Sequence, residues 1–335
     1  MQRRSVVFGA LGALVVGAWG LDAADASQTW RMAHKQPPES IEGVLFQAFA
    51  DRIEEKTGGD IRVQVFPAEQ LGADDAILEQ LQLGTVHIYP EGATYLAKWV
   101  PDVRFMSAPF LFEDREHWQR FMGTDLVQGW LRQVEEQEGI GLIGDSTAFV
   151  RGPYRVMVTS RPFTTVEEMG AIKLRMHPDE LAAAAWRYLG AEVRTLAWTE
   201  VYESISRGIV EAVNSPIALV EPMRFYEVAP YVIRHDEYPQ GMGFMTNARA
   251  WNALDETTRA QILEAHAEVS AESVARMTAE ADESIERMQG RGVTFSDADI
   301  GSFVEKMRGF YAELDARGEL PAGFMEAVDA TRLAN

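Results

Sequence analysis

Tyr154 to Pro216 reads YRVMVTSRPFTTVEEMGAIKLRMHPDELAAAAWRYLGAEVRTLAWTEVYESISRGIVEAVNSP, and the rest of the chain is organised around this stretch. Arg155 and Arg175 sit at or near the ends of short β-branched apolar runs. Each therefore points out of a sheet rather than along a solvated helix face. A guanidinium there suits a bidentate grip on a carboxylate, because it offers a planar fork that lysine lacks. Asn214-Ser215-Pro216 follows another strand-like run, Ile209 to Val213. Ligands of open α/β sheets collect beyond the carboxyl ends of strands, so three strand ends are expected to converge on one anion. The plain alternative for the two arginines is a structural or interdomain salt bridge.

Working outward, Thr29–Ala33, Ile61–Phe66 and Val86–Tyr89 read as strands. Between them lie a helix capped by Ser40 and running to Lys56, and a second over Ala73–Leu83. This β-α-β-α-β order favours a parallel sheet with helices on its faces. Pro101–Phe112 reads as an apolar loop, followed by helices at Glu113–Gly123 and, capped by Thr124, at Asp125–Glu138. Ile140–Ile143 returns as a strand. A second α/β unit then begins near Arg155, with strands at Ile172–Arg175 and Glu192–Thr195, a helix at Asp179–Leu189 and another capped by Thr199. Beyond Leu254-Asp255 a helical run reaches about Gln289, long enough to span two domains.

The chain has 335 residues, 47% of them hydrophobic, enough for a sizeable core and two domains. Arg3-Arg4 precede an apolar run from Val6 to Leu21, and Ala24-Asp25-Ala26 matches an A-x-A cleavage site. Residues 1–26 thus read as a secretory signal peptide, with export to the periplasm. Arg3-Arg4 fits either a twin-arginine signal or an ordinary positive n-region. The net charge is −20 and stays so without those residues, which argues against nucleic acid or anionic lipid as partner. The chain contains no cysteine, so disulfides, cysteine ligands and cysteine nucleophiles are excluded.

Patterns that resemble chemistry fail on context. Gly139-Ile-Gly-Leu-Ile-Gly144 matches G-x-G-x-x-G, but the order here is helix, glycine stop, strand, the reverse of a dinucleotide loop. Gly144-Asp145-Ser146 and Asp114-Arg-Glu-His117 resemble lipase blocks in reversed order, and Asp114–His117 falls in an expected surface helix. The six histidines show no zinc-ligand spacing, and His266 reads as solvated. No metal, cofactor or catalytic set is expected. His34 and His177 follow expected strands and are candidates for ligand contact, as are Gln36 and Glu91 at strand ends. Trp198 and Tyr202 fit either the core or a flat wall against an organic ligand.

The chain resembles the solute-binding proteins of tripartite ATP-independent periplasmic (TRAP) transporters along nearly all of its length after residue 26. The resemblance rests on Val65-Phe-Pro-Ala-Glu-Gln-Leu-Gly72, Ala108-Pro-Phe-Leu-Phe112, Leu174-Arg175, Leu189-Gly-Ala191, Thr199-Glu-Val-Tyr202 and Gly208-Ile-Val-Glu-Ala212. Phe225-Tyr-Glu-Val228 and Asn247 to Leu254 continue it. It implies an α/β clamshell of two domains, each with a mostly parallel sheet, and a long helix spanning both. The first part of domain I would cover 27–150 and the first part of domain II 151–237. Residues 238–335 would supply a crossover strand, the spanning helix and C-terminal helices shared by both. The implied function is capture of a small organic acid, by a monomer, for delivery to membrane permease subunits. Arg175 matches the arginine that holds the ligand carboxylate, Arg155 a second cleft arginine and Trp198 an aromatic lining position. Family members often carry an Asp-Gly-x-Glu-Asn-Pro-like run where this chain has Glu211-Ala-Val-Asn-Ser-Pro216, so Asn214 replaces the acidic residue and Ser215 the frequent asparagine, and either is a candidate for contact. A secreted hydrolase or lyase, or the sensing subunit of a receptor, are the alternatives.

Overall fold

Caps and alternation, rather than overall hydrophobicity, set where the elements begin. Ser40 Oγ accepts from Gly43 N at 3.1 Å, Asp179 Oδ1 from Ala182 N at 2.9 Å, and Asp255 Oδ1 from Thr258 N at 2.9 Å. Each satisfies an amide that a first helical turn leaves without a partner. The computed structural model describes residues 27–333. The signal-peptide reading of residues 1–26 lies outside them.

The first unit runs β1 (Gln28–Ala33), α1 (Ile41–Lys56), β2 (Ile61–Phe66), α2 (Asp74–Leu83), β3 (Ile88–Glu91), α3 (Arg115–Met122), α4 (Asp125–Glu138) and β4 (Ile140–Ile143). The second runs β5 (Arg155–Thr159), α5 (Val166–Met169), β6 (Lys173–Met176), α6 (Glu180–Leu189), β7 (Glu192–Thr195), α7 (Val201–Ser206), β8 (Ala212–Pro216) and β9 (Tyr231–Arg234). The chain then returns through β10 (Gly243–Asn247) and α8 (Ala248–Ala253) to α9 (Glu256–Gln289), β11 (Thr294–Asp297), α10 (Ile300–Ala316) and α11 (Phe324–Ala330).

Two sheets result, in the orders β2-β1-β3-β10-β4 and β11-β9-β5-β8-β6-β7. Each is mostly parallel, with a single reversed strand. That strand is β10 in the first sheet, antiparallel to β3 and β4, and β5 in the second, antiparallel to β8 and β9. Each reversed strand is the first to follow one of the two non-helical crossings between units, whereas β11, which follows the crossing made by α9, is parallel to β9. The crossing segments touch at one bridge, Val150 to Gly241. A Cβ at Gly241 would lie 2.2 Å from Ser146 O and 2.8 Å from the Trp118 ring, so only glycine permits this approach.

Helix α9 is 34 residues long and buries a stripe spaced three and four apart. Ile262, Ala265, Val269 and Met277 pack with Trp30, Phe46 and Phe49 beside the first sheet, whereas Ala281 and Met288 pack with Val156, Val213 and Phe225 beside the second. Near its middle, Ser273 Oγ accepts from Val150 N at 3.0 Å, tying the helix to a crossing segment. The long helix therefore spans both halves.

Four expectations are corrected. Strand β8 covers Ala212–Pro216, so Asn214 and Ser215 lie within a strand and not after one. The turn at Trp198–Glu200 is 3-10 and Thr199 lies inside it; its hydroxyl donates to Glu69 Oε2 at 2.7 Å instead of capping α7. His266 is buried at 3% exposure, edge-on to Phe49 and Phe244, because it falls on the apolar stripe of α9. His117 is fully buried, its Nε2 2.9 Å from Val328 O, because α11 covers the helix that was expected to be solvated.

Candidate functional site

The end of the second sheet where β6 and β8 finish and the reversed β5 begins gathers the charged residues. Arg155 opens the reversed β5 opposite Pro216 at the end of β8, while Arg175 pairs in register with Val213 near the end of β6. Side chains alternate across a strand, so Arg155 and Asn214 leave one face and Arg175 the other. They meet because the cavity lies off that end. Gln36, just after β1, and Glu91, at the end of β3, approach from the first sheet. Arg175, Arg155, Asn214, Trp198, Gln36, Glu91 and His177 all line this cavity.

The two arginines differ in what holds them. Arg155 donates through Nε to Glu237 Oε2 at 3.2 Å and through Nη1 to Gln240 Oε1, and its guanidinium lies 4.6 Å from the centre of the Tyr238 ring. The salt-bridge alternative applies to it. Arg175, 4% exposed, donates Nε to Leu196 O at 3.0 Å and stands over the Trp198 ring at 5.3 Å. Its Nη2 has no hydrogen-bond partner, and no carboxylate reaches it, among the described residues. Burial pushes this guanidinium below its ordinary pKa, so it is a destabilised cation facing a cavity.

Across the cavity every buried charge is matched. Lys35 Nζ lies 3.1 Å from Asp74, 3.0 Å from Glu91 and 2.8 Å from Tyr95 Oη. Burial alone would lower this ammonium, but Asp74 and Glu91 raise it above the usual value. Arg151 grips both oxygens of Glu42 at 2.8 Å and also pairs with Glu91. Burial would raise the Glu91 carboxyl, yet Arg151 and Lys35 outweigh it and hold the group at about 2. The walls are joined by Trp198 Nε1, which donates to Gln36 Oε1 at 3.2 Å, and by the His177 and Tyr95 rings, 5.7 Å apart.

Residues 32–317 match the family model for bacterial extracellular solute-binding proteins, family 7. The chain belongs to this family. A solute-binding protein of Roseobacter denitrificans is 26% identical over 290 residues, 86% of this chain and 87% of that one. A crystal structure from that organism, with bound L-galactonate, has a TM-score of 0.80 at 23% identity, covering 91% of this chain and 99% of the other. The sialic acid-binding periplasmic protein of Vibrio cholerae is 23% identical over 88% of this chain and 90% of its own. A TRAP periplasmic solute-binding protein attributed to Ochrobacterium anthropi, solved with L-fuconate, has a TM-score of 0.83 at 19% identity, covering 91% and 99%. This protein is thus a solute-binding protein of the TRAP type, with the two-domain fold of its relatives.

Three candidate residues fall outside the cavity of this family 7 protein. Ser215, on the opposite strand face from Asn214, is fully buried and donates to Pro216 O at 2.8 Å. Tyr202 is half-buried one helical turn away, its hydroxyl on Glu227 at 3.1 Å. His34 packs behind the wall with its ring 4.9 Å from Phe46, and burial lowers it to about 4. Sequence reasoning missed Lys35, Tyr95, Arg151, Tyr238 and Gln240, which do line the cavity, and Glu237, which holds Arg155 and Asn214. Arg151 alone left a signal: a lone charge between Val150 and Gly152-Pro153 belongs to a loop that crosses between units.

Proposed function

We propose that this protein captures a small organic acid between its two domains, with Arg175 holding the carboxylate, and delivers it in the periplasm to TRAP permease subunits. The observation that carries this reading is the unpaired Arg175 guanidinium, buried and open to the cavity. A buried charge without a partner is unfavourable unless something completes it, and a carboxylate does so with paired, charge-assisted bonds. Trp198 supplies a flat wall under that contact, and closing the domains brings Gln36 and Glu91 to the same ligand. The first part of domain I is assigned to 27–150 and that of domain II to 151–237, with 238–335 shared. The ligand is bound and released unchanged, as delivery requires. Relatives named for periplasmic sialic acid and C4-dicarboxylate binding support this reading.

A thermal-shift screen of organic acids, followed by calorimetry, tests it, since a ligand selective for the folded state raises the melting temperature. Arg175→Ala should abolish binding and Arg175→Lys should weaken it by about 2–5 kcal/mol, because a point charge cannot replace the fork. Full affinity in the lysine variant would sink the bidentate contact. Mass spectrometry of ligand recovered after incubation checks that it is unchanged; catalytic conversion would overturn the binding-protein reading.

A further inference from the structure

Two neighbouring residues of the second unit reach across to the first. Trp198 Nε1 donates to Gln36 Oε1 at 3.2 Å, and Thr199 Oγ1 donates to Glu69 Oε2 at 2.7 Å. Gln36 lines the cavity, whereas Glu69 and Thr199 do not, and the ligand contacts above make no use of them. The turn that carries Glu69, after β2, is strained. Ala68 and Glu69 both have positive φ, 52° and 57°, although each bears a side chain that disfavours the left-handed region. Main-chain bonds hold them there: Ala68 N donates to Gln36 O at 3.1 Å and Glu69 N to His34 O at 3.2 Å. The turn is thereby fixed to the loop after β1 that supplies Lys35 and Gln36 to the cavity. Strain of this kind persists only where its surroundings over-determine it, and it gathers at ligand clamps and switches.

The two acceptors, Gln36 and Glu69, are thus joined in the first unit, and the two donors are adjacent in one 3-10 turn of the second. Neither bond survives separation of the units. By contrast, the ion pair from Arg104 to Glu180, also between units, is 3.8 Å long, and the Glu180 side chain is 93% exposed. Such a pair holds little.

We infer that Glu69 and Thr199 are positioning residues that clasp the closed form from outside the cavity. This rests on the capture reading above and adds to it what sets the lifetime of the bound state. The two partners are not equivalent. Thr199 is exposed, whereas Glu69 is half-buried, with Oε1 buried and lacking a partner among the described residues. Loss of the hydroxyl leaves a partly desolvated carboxylate with neither oxygen bonded. Loss of the carboxylate only returns an exposed hydroxyl to water.

Stopped-flow binding and release of the acid that gives the largest shift in the screen above tests this. Thr199→Val, close in shape, should speed release roughly two- to tenfold and leave association little changed, since the bond forms after encounter. Thr199→Ser keeps the hydroxyl and should release at the original rate. Glu69→Ala should have a smaller effect than Thr199→Val, and the double variant should match Glu69→Ala alone. The ligand-free melting temperature should be the same throughout, because a bond made on closure does not stabilise the open form. An unchanged release rate in Thr199→Val overturns the clasp. A ligand-free melting temperature that falls in that variant overturns it too, by assigning the bond to the fold.

If no acid of the screen binds, the capture reading falls and closure is read directly. The chain has no cysteine, so spin labels at Asp75→Cys and Arg187→Cys, on α2 and α6 across one mouth of the cleft, report the separation of the units. A short separation in the ligand-free protein that lengthens in Thr199→Val supports the clasp. A separation that the substitution does not alter overturns it.

Discussion

On the first-sheet side of the cavity, Lys35 and Arg151 each touch two carboxylates, among Asp74, Glu91 and Glu42, whereas Arg175 on the second-sheet side touches none. Both sides bury positive charge to a similar depth, at 6%, 5% and 4% exposure for Lys35, Arg151 and Arg175. The difference lies in what completes it. A charge completed within the chain belongs to the architecture, and removing one member strands the others in a low dielectric. A charge left incomplete is a liability to the folded state that binding relieves. Arg155, paired with Glu237, stands with the first group although it shares a sheet end with Arg175.

The largest expected effect tests that contrast on stability. Arg151→Ala should destabilise the protein by about 3–5 kcal/mol, since Glu42 and Glu91 lose their partner in the interior. Arg175→Ala should change stability by no more than about 1 kcal/mol while removing binding. Urea unfolding of the two variants checks this, and equal losses would break the distinction between the walls. Next comes the joint between the sides. Ala271→Pro, exposed and near the middle of α9, should cost about 3 kcal/mol or more by removing a backbone bond and kinking the helix. Both the melting temperature and ligand affinity should fall; unchanged values would show that α9 does not couple the halves.

A smaller effect concerns pH and the first-sheet side. His266 is held at about 4 by burial, partly offset by Asp145, against an ordinary value of 6.5. Between these values the unfolded chain binds the extra proton and the folded one does not. Stability is therefore complete above about pH 6.5 and lost as pH falls toward 4, by up to about 1.4 kcal/mol per pH unit. His266→Phe should flatten that slope, measured by unfolding at several pH values, and a slope unaltered by the substitution would place the pH dependence elsewhere. The smallest effect sharpens the cavity boundary. Tyr202→Phe removes one exposed bond to Glu227, and ligand affinity should stay within about 0.5 kcal/mol of the original. A tenfold loss on calorimetry would bring Tyr202 into the site.

Much of the fold is legible because its signals are local. Ser40, Thr124, Asp179 and Asp255 cap the helices that follow them, and β2, β4 and β7 fall where alternation or a glycine stop predicts. The site is legible where function leaves a residue at odds with its surroundings. Arg175 stands next to the end of a strand, and Trp198 opens a turn after one. The face of a residue within a strand is less secure: a boundary three residues off turned Ser215 from a candidate into a side chain facing away from the cavity.

By itself, the sequence determined the order of the elements, the long helix, the family and the arginine that faces the cavity, since periodicity, caps and motif spacing act over a few residues at a time. Only the tertiary structure decided which charges are paired. Arg151 meets Glu42 across 109 positions and Glu91 across 60, and Arg155 meets Glu237 across 82. Ion pairs depend on distances of a few ångströms in space, which sequence separation does not encode. The bonds from Trp198 to Gln36 and from Asn214 to Glu237 are of the same kind, because each joins residues of separate elements.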